Sequence, residues 1–291
     1  RRTQKALLNM RSLKNKSVVI TGAASGIGEA LAHGMAGRGA RLLLADIDDA
    51  GLHRVATDIK MKHKGAECHV LVTDTGHETD IQALALEAQD RLDGTDVLIN
   101  NAGVALVAPV ETLRTRDAHW LMNINFWGVV HGCKAFLPQM RKRPEAVLVN
   151  VSSIFAMVSM PTQSIYNASK AAVRGFSDAL REELRGTSVR VLTVHPGGIR
   201  TNIANKARVT DVRMMAASEQ EFKDHFLTMA RTTPEEAAEV IIKAITAGDT
   251  RVLVGADAKV LDSLYRMFPT RASAWLTGIS ASLRQRAQKK N

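Results

Sequence analysis

Seven short apolar runs recur along this chain, with helical patterns between them. They occupy 17–21 (SVVIT), 41–46 (RLLLAD), 67–73 (ECHVLVT), 96–100 (DVLIN), 146–152 (AVLVNVS), 189–195 (VRVLTVH) and 251–254 (RVLV). Each is mostly apolar, with consecutive rather than alternating apolar residues at its centre in most of them, the mark of strands buried on both faces. Segments 28–38, 80–92, 117–141, 164–185 and 234–247 instead repeat apolar residues at helical spacing. Strand alternating with helix demands crossover connections, and right-handed crossovers cover both faces of a parallel sheet. The spacing therefore predicts an α/β, doubly wound fold: a seven-stranded, mostly parallel sheet between two layers of helices.

At 291 residues the chain can bury one large core. No internal repeat or Pro/Gly/Ser linker divides it. The expected organisation is a basic extension at 1–16, a single catalytic domain at 17–255, and a basic amphipathic tail at 256–291. Within the domain, the alternation lapses at 199–233, read as a substrate lid. No stretch approaches the length of a membrane span, and Ala6-Leu7-Leu8 is too short for a secretory signal core.

The net charge of +10 raises the question of a nucleic-acid partner. Its distribution argues against one. Residues 1–16 and 259–291 contribute +6 each, leaving about −2 over 17–258. No nucleic acid is expected; peripheral contact of the basic tails with a membrane is the alternative use of that charge. Two distant cysteines, Cys68 and Cys133, read as buried thiols of a reducing, cytoplasmic compartment. No histidine or cysteine grouping has metal-ligand spacing, so no metal is expected.

The first strand runs into Thr21-Gly22-Ala23-Ala24-Ser25-Gly26-Ile27-Gly28 and then a helix. Glycines allow a tight turn and close approach of backbone to a pyrophosphate, and the helix N-terminus supplies N–H donors. This places a dinucleotide at a Rossmann-type crevice. Asp46 ends the second strand, where an acid can bind both hydroxyls of an adenine ribose and repel a 2′-phosphate. Its neighbour is Ile47 rather than a cation. NAD(H) is therefore favoured, with NADP(H) as the alternative. A capping role for Asp46 at the next helix is the competing explanation.

On a helix, the phenol of Tyr166 and the ammonium of Lys170 in Tyr166-Asn167-Ala168-Ser169-Lys170 share one face. A phenol has a pKa near 10, so making it a base near pH 7 needs roughly 4 kcal/mol of preference for the phenolate. A lysine and an oxidised nicotinamide ring can supply it. Ser153 precedes Tyr166 by 13 residues at a strand end, where a hydroxyl can hold a substrate oxygen.

The TGxxxGxG loop, Asn100-Asn101-Ala102-Gly103, Ser153 and the YxxxK pair together resemble the short-chain dehydrogenase/reductase family, over about residues 15–255. The resemblance implies an oxidoreductase interconverting an alcohol and its carbonyl compound. It implies Tyr166 as acid/base, with Ser153 and Lys170 supporting and Asn125 in a proton relay. It also implies cofactor contacts from Asp74 and Thr75 after the third strand, from Asn101, Ala102 and Gly103, and from Pro196, Gly197, Ile199 and Thr201 after the sixth. For Asp74, an N-cap is an equally good account. A homodimer or homotetramer is implied as well. His195 reads as a packed strand-end residue. A non-catalytic NAD(H)-sensing protein is the competing function class, and it would be expected to have lost part of this set.

Candidate substrate residues are Ser153, Phe155, Met160 and Gly197, with Met214, Phe222 and Phe226 from the lid segment. Met-rich apolar walls suit a lipophilic alcohol or ketone. Packing of a helical lid explains the same residues.

Overall fold

The computed structural model describes residues 10–210, 230–275 and 277–278. Seven strands form one sheet: β1 (Ser17–Thr21), β2 (Arg41–Asp46), β3 (Cys68–Val72), β4 (Val97–Asn100), β6 (Ala146–Val151), β7 (Val189–Pro196) and β9 (Arg251–Val254). Their order is β3-β2-β1-β4-β6-β7-β9, and every pairing is parallel. Two more strands, β5 (Leu106–Val107) and β8 (Arg208–Val209), make a small parallel pair outside it. The helices are α1 (Gly26–Ala36), α2 (Asp49–Lys62), α3 (Glu78–Leu92), α4 (Thr115–Met122), α5 (Gly128–Met140), α6 (Ser164–Glu183), α7 (Pro234–Ala247) and α8 (Ala256–Met267).

Each central strand serves two cores. Val18, Ile20, Leu42, Leu44, Val97, Ile99, Val147 and Val149 face a cluster with α1, α2 and α7, including Leu31, Met35, Val55 and Ile241. Val19, Leu43, Leu98 and Leu148 face the other cluster, with α3, α5 and α6 supplying Leu84, Phe136 and Val173. This period-2 division explains why the strands are apolar throughout. Each buried side chain of this kind contributes roughly 1.5–3 kcal/mol of transfer free energy.

Local signals account for the helix ends. Thr233 and Glu236 form a reciprocal capping box at α7, with Pro234 in the first turn; Gly248 (φ 83°) closes the helix in the left-handed region. Asp48 caps α2 by accepting from the Gly51 N–H at 3.0 Å.

The described ends of the chain pack on the body. Met10 and Leu13 are buried in the first core. The C-terminal helix α8 and the residues after it lie against the segment after β6, where Ala258, Leu261, Leu264, Tyr265 and Ala272 cluster with Ile154, Met157 and Val158. The 199–233 segment is tied at both described ends. Ile199 bridges to Thr232, and β8 pairs with β5. Arg208 adds a stack 3.6 Å from the Trp120 ring centroid and an ion pair to Asp117 at 3.0 Å.

Candidate active site

Strand order reverses between β1 and β4, which opens a crevice at their carboxyl ends. The glycine loop enters it from β1. Gly22 (φ 67°) and Gly26 (φ 59°) hold left-handed conformations that favour glycine. A Cβ on Gly28 would stand 2.0 Å from the Gly22 carbonyl oxygen. Ser25 is the N-cap of α1, but its side chain caps no backbone group. The first-turn N–H groups have no intrahelical partner and are available to an anion. A backbone cradle that no side chain could enter fits a dinucleotide pyrophosphate.

Asp46 accepts hydrogen bonds from the backbone N–H of Ala24 and of Asp48, each at 3.0 Å. It thus ties the glycine loop to the end of β2, while Asp48 makes the helix cap. Ile47 is 68% exposed beside it. The guanidinium of Arg54 reaches the loop through the Ala24 carbonyl at 3.0 Å, but it is held bidentate by Glu29 at 2.7 and 2.8 Å. Arg41 pairs with Glu67 at the opposite end of β2. Asp74 accepts from the Gly76 N–H at 2.8 Å and does not cap α3, whose N-cap is His77. Thr75 is buried, with its carbonyl against Gly128.

Residues 101–103 join the crevice to the catalytic candidates. The Asn101 amide donates to the carbonyls of Thr21 (2.9 Å) and Gly22 (3.1 Å). The Thr21 hydroxyl accepts from the N–H groups of Asn101 and Ala102, both at 3.1 Å. At the other end, the Cβ position of Gly103 lies 3.4 Å from both Lys170 Nζ and Asn125 Oδ1. From β7, Thr201 closes on the loop, its Cγ2 3.1 Å from the Cβ position of Gly26. Ile199 is buried.

Tyr166 and Lys170 share one face of α6, with Nζ 5.9 Å from the phenol ring centroid. Lys170 is buried and donates to the Val151 carbonyl at 3.1 Å. Burial lowers its pKa to about 8. The Tyr166 phenol is pushed above its ordinary value by burial, with a hydrogen bond from Ser153 acting the other way. The protein's own groups thus favour the neutral phenol, the opposite of the lowering that a general base requires. Ser153 itself accepts from the Phe155 N–H at 3.1 Å.

Asn125 sits in a π-helical turn, Asn123–Trp127, between α4 and α5. Its amide clamps Val104 through both backbone groups, at 2.8 and 3.0 Å, and donates to the Ser169 hydroxyl at 3.2 Å. Such turns are frequent where a helix must re-aim one side chain. His195 is buried beside the Ser153 carbonyl (3.2 Å) and has its pKa lowered to about 4, first by burial.

Of the substrate candidates, Phe155 meets the Tyr166 ring edge-on at 6.3 Å. Phe155 and Met160 also line a cavity of about 440 Å³ with Met157, Asn167 and Ala171. Tyr166, Ser153 and Lys170 do not line that cavity, although Asn167 and Ala168 beside them do. Met214, Phe222 and Phe226 lie outside the described residues. Among the described residues, no cluster of three or more His, Cys, Asp or Glu could hold a metal ion.

Sequence reasoning passed over several residues that build this site. Ser152 Oγ donates to the Lys170 carbonyl at 2.8 Å, and Ser169 Oγ to that of Tyr166 at 2.8 Å. Asn167 holds the segment after Ser153 through the carbonyls of Phe155 (2.8 Å) and Val158 (3.0 Å). All three stand inside motifs already singled out. Asp257, on α8, bonds to Gly198 and carried no signal in a linear reading.

A family model described as short chain dehydrogenase matches residues 16–211. The chain belongs to the short-chain dehydrogenase/reductase family. It is 38% identical to SadH of Mycobacterium tuberculosis over 262 residues, covering 89% of this chain and 92% of that protein. It is 35% identical over 195 residues to cyclopentanol dehydrogenase of Comamonas testosteroni, covering 66% and 76% respectively. Among solved structures, it resembles a short-chain dehydrogenase/reductase from Burkholderia phymatum in complex with NAD. That match has a TM-score of 0.79 and 28% identity, and covers 90% of this chain and 98% of the other. The fold is therefore the Rossmann arrangement of an oxidoreductase family whose structures bind a nicotinamide dinucleotide.

Proposed function

We propose that this chain is an NAD(H)-dependent alcohol dehydrogenase or carbonyl reductase acting on a lipophilic primary or secondary alcohol and its carbonyl compound. The observation that supports this reading is the run 101–103, which bonds to the glycine loop through Asn101 and approaches Lys170 Nζ at Gly103. NAD(H) over NADP(H) is supported by the Asp46 carboxylate, by exposed Ile47, and by the engagement of Arg54 with Glu29.

A bound nicotinamide dinucleotide supplies the hydride acceptor or donor. The Ser153 hydroxyl holds the substrate oxygen, and Tyr166 Oη exchanges a proton with it. Buried Lys170 provides positive charge beside the phenol and holds the cofactor ribose. Asn125, fixed by Val104, sits where a proton path from Lys170 would pass. In reduction the neutral Tyr166 phenol would protonate the developing alkoxide, and in oxidation the phenolate would take the alcohol proton. Phe155 and Met160 supply an apolar wall, with the lid segment 199–233 as the variable cover. Assembly as a homodimer or homotetramer through the helices holding Asn125 and Tyr166 is supported by Trp127, 46% exposed in the turn just before α5.

Exposed residues of α8 and the segment after it favour one further reading, contact with an anionic membrane surface. Val260, Met267, Phe268 and Trp275 are exposed, as are Lys259 and Arg271, and Arg284, Arg286, Lys289 and Lys290 follow in the sequence. No helix among the described residues is long and apolar enough to cross a membrane. Co-sedimentation with phosphatidylserine vesicles should pull down the full chain but not a full-length variant with Arg284, Arg286, Lys289 and Lys290 replaced by Ser; equal behaviour removes this reading.

A panel of lipophilic and small polar alcohols and ketones, run with NAD(H) and NADP(H) in parallel, tests the main proposal. Turnover of lipophilic substrates with NAD(H) is expected. Turnover of small polar alcohols alone overturns the substrate class, and equal efficiency with NADP(H) overturns the cofactor choice.

A further inference from the structure

After β9, Gly255 (φ 97°) turns the chain into α8 and carries Asp257 back over the end of β7. The Asp257 carboxylate accepts from the Gly198 N–H at 2.6 Å. The neighbouring Gly197 N–H is held by the Val254 carbonyl at 2.9 Å. Space for the acid is made by missing side chains. A Cβ at Gly197 would stand 2.2 Å from one Asp257 oxygen, and a Cβ at Gly255 2.4 Å from the other. An acid in a first helical turn is ordinary on dipole grounds alone. The dipole does not account for two glycines cleared around it, or for a donor taken from a different strand end.

We propose that Asp257 is a positioning residue of the cofactor site: from the C-terminal helix, it sets the Pro196–Gly197–Gly198 turn and thereby the nicotinamide end of the crevice. This rests on the proposed dinucleotide function and deepens it. The turn leads directly into Ile199 and Thr201, and Thr201 packs on the glycine loop. The same helical segment also holds the other wall of the mouth. Its apolar face packs on Ile154, Met157 and Val158, and Ser273 Oγ accepts the Ser159 N–H at 2.9 Å. The segment after β9 is thus part of the active-site frame rather than an appendage.

The test compares two probes, NADH and ADP-ribose, which shares the adenine, ribose and pyrophosphate but lacks nicotinamide. Binding is measured for the full chain and for Asp257→Ala, Asp257→Asn and Gly197→Ala, with circular dichroism confirming each fold. Asp257→Ala should weaken NADH about tenfold, the effect of ~1.4 kcal/mol, while ADP-ribose changes less than twofold. Asp257→Asn, which keeps an acceptor, should fall between. Gly197→Ala displaces the same carboxylate, so it should match Asp257→Ala, and the double variant should be no worse than either single one. Equal weakening of both probes, unchanged NADH affinity in Asp257→Ala, or additive losses in the double variant would overturn the inference. A wild-type chain that binds neither probe would instead bring down the dinucleotide reading on which it rests.

Discussion

Gly28 and Gly22 stand so close that a Cβ on Gly28 would lie 2.0 Å from the Gly22 carbonyl oxygen. The obstructing atom belongs to the backbone of the loop, so it cannot swing aside as a side-chain tip would. Gly28→Ala should push the loop away from the α1 N-terminus at a cost of about 1–3 kcal/mol. NADH affinity, measured by fluorescence titration, should fall more than tenfold, and the thermal midpoint should drop by a few degrees.

The buried centre of the sheet carries a polar chain that is fully paired. Asn100 Nδ2 donates to Asn150 Oδ1 at 2.9 Å, and Asn150 Nδ2 to Ser177 Oγ at 3.0 Å. Asn150→Ala would leave the Asn100 amide with only the weak Cys133 Sγ acceptor, at 3.6 Å, inside the core. A loss of about 2–3 kcal/mol is expected, read as a lower urea midpoint with an unchanged slope.

Much of this architecture was legible in the chain, for a physical reason. Strands apolar on both faces have no competing reading as surface elements, and 17–21, 41–46 and 251–254 coincide with β1, β2 and β9. The helical pattern at 234–247 coincides with α7, whose ends Thr233, Pro234 and Gly248 fix. The β5–β8 pair was not legible. Two-residue strands have no period, and their pairing depends on the distant Arg208 contact with Asp117 and Trp120. The π-helical turn at Asn125 was hidden in the same way, because its sequence reads as continuous helix. Within the site, spacing brought out the residues of local motifs. Asp257 escaped because its partner lies 59 residues away and depends on the tertiary fold.

His195 gives the fold an acid-side dependence. Burial holds its pKa at about 4 against an ordinary 6.5, so the folded state keeps the imidazole neutral where the unfolded state takes up a proton. Its contribution is complete above pH 6.5 and is lost as the pH falls toward 4, up to about 3 kcal/mol. Urea midpoints measured from pH 7 to 4.5 should decline in the wild type. His195→Gln should show a shallower decline over the same range.

The proposed preference for NAD(H) rests on Asp46, at the end of β2, and on Ile47 after it. Replacing them by Ser and Arg removes the acid that would repel a 2′-phosphate and adds a cation beside it. Asp46→Ser/Ile47→Arg should reverse the preference between NADH and NADPH by at least tenfold in kcat/KM. Parallel kinetics on one ketone substrate would check this.

The proton exchanged at Tyr166 is the step on which the proposed chemistry depends, and the phenol hydroxyl is the only group that Tyr166→Phe removes. Turnover of the best panel substrate and NADH affinity should be measured together in this variant. The account predicts wild-type NADH affinity with turnover reduced at least a thousandfold, about 4 kcal/mol of lost transition-state stabilisation. Turnover within a few-fold of wild type, with the cofactor still bound, would contradict it.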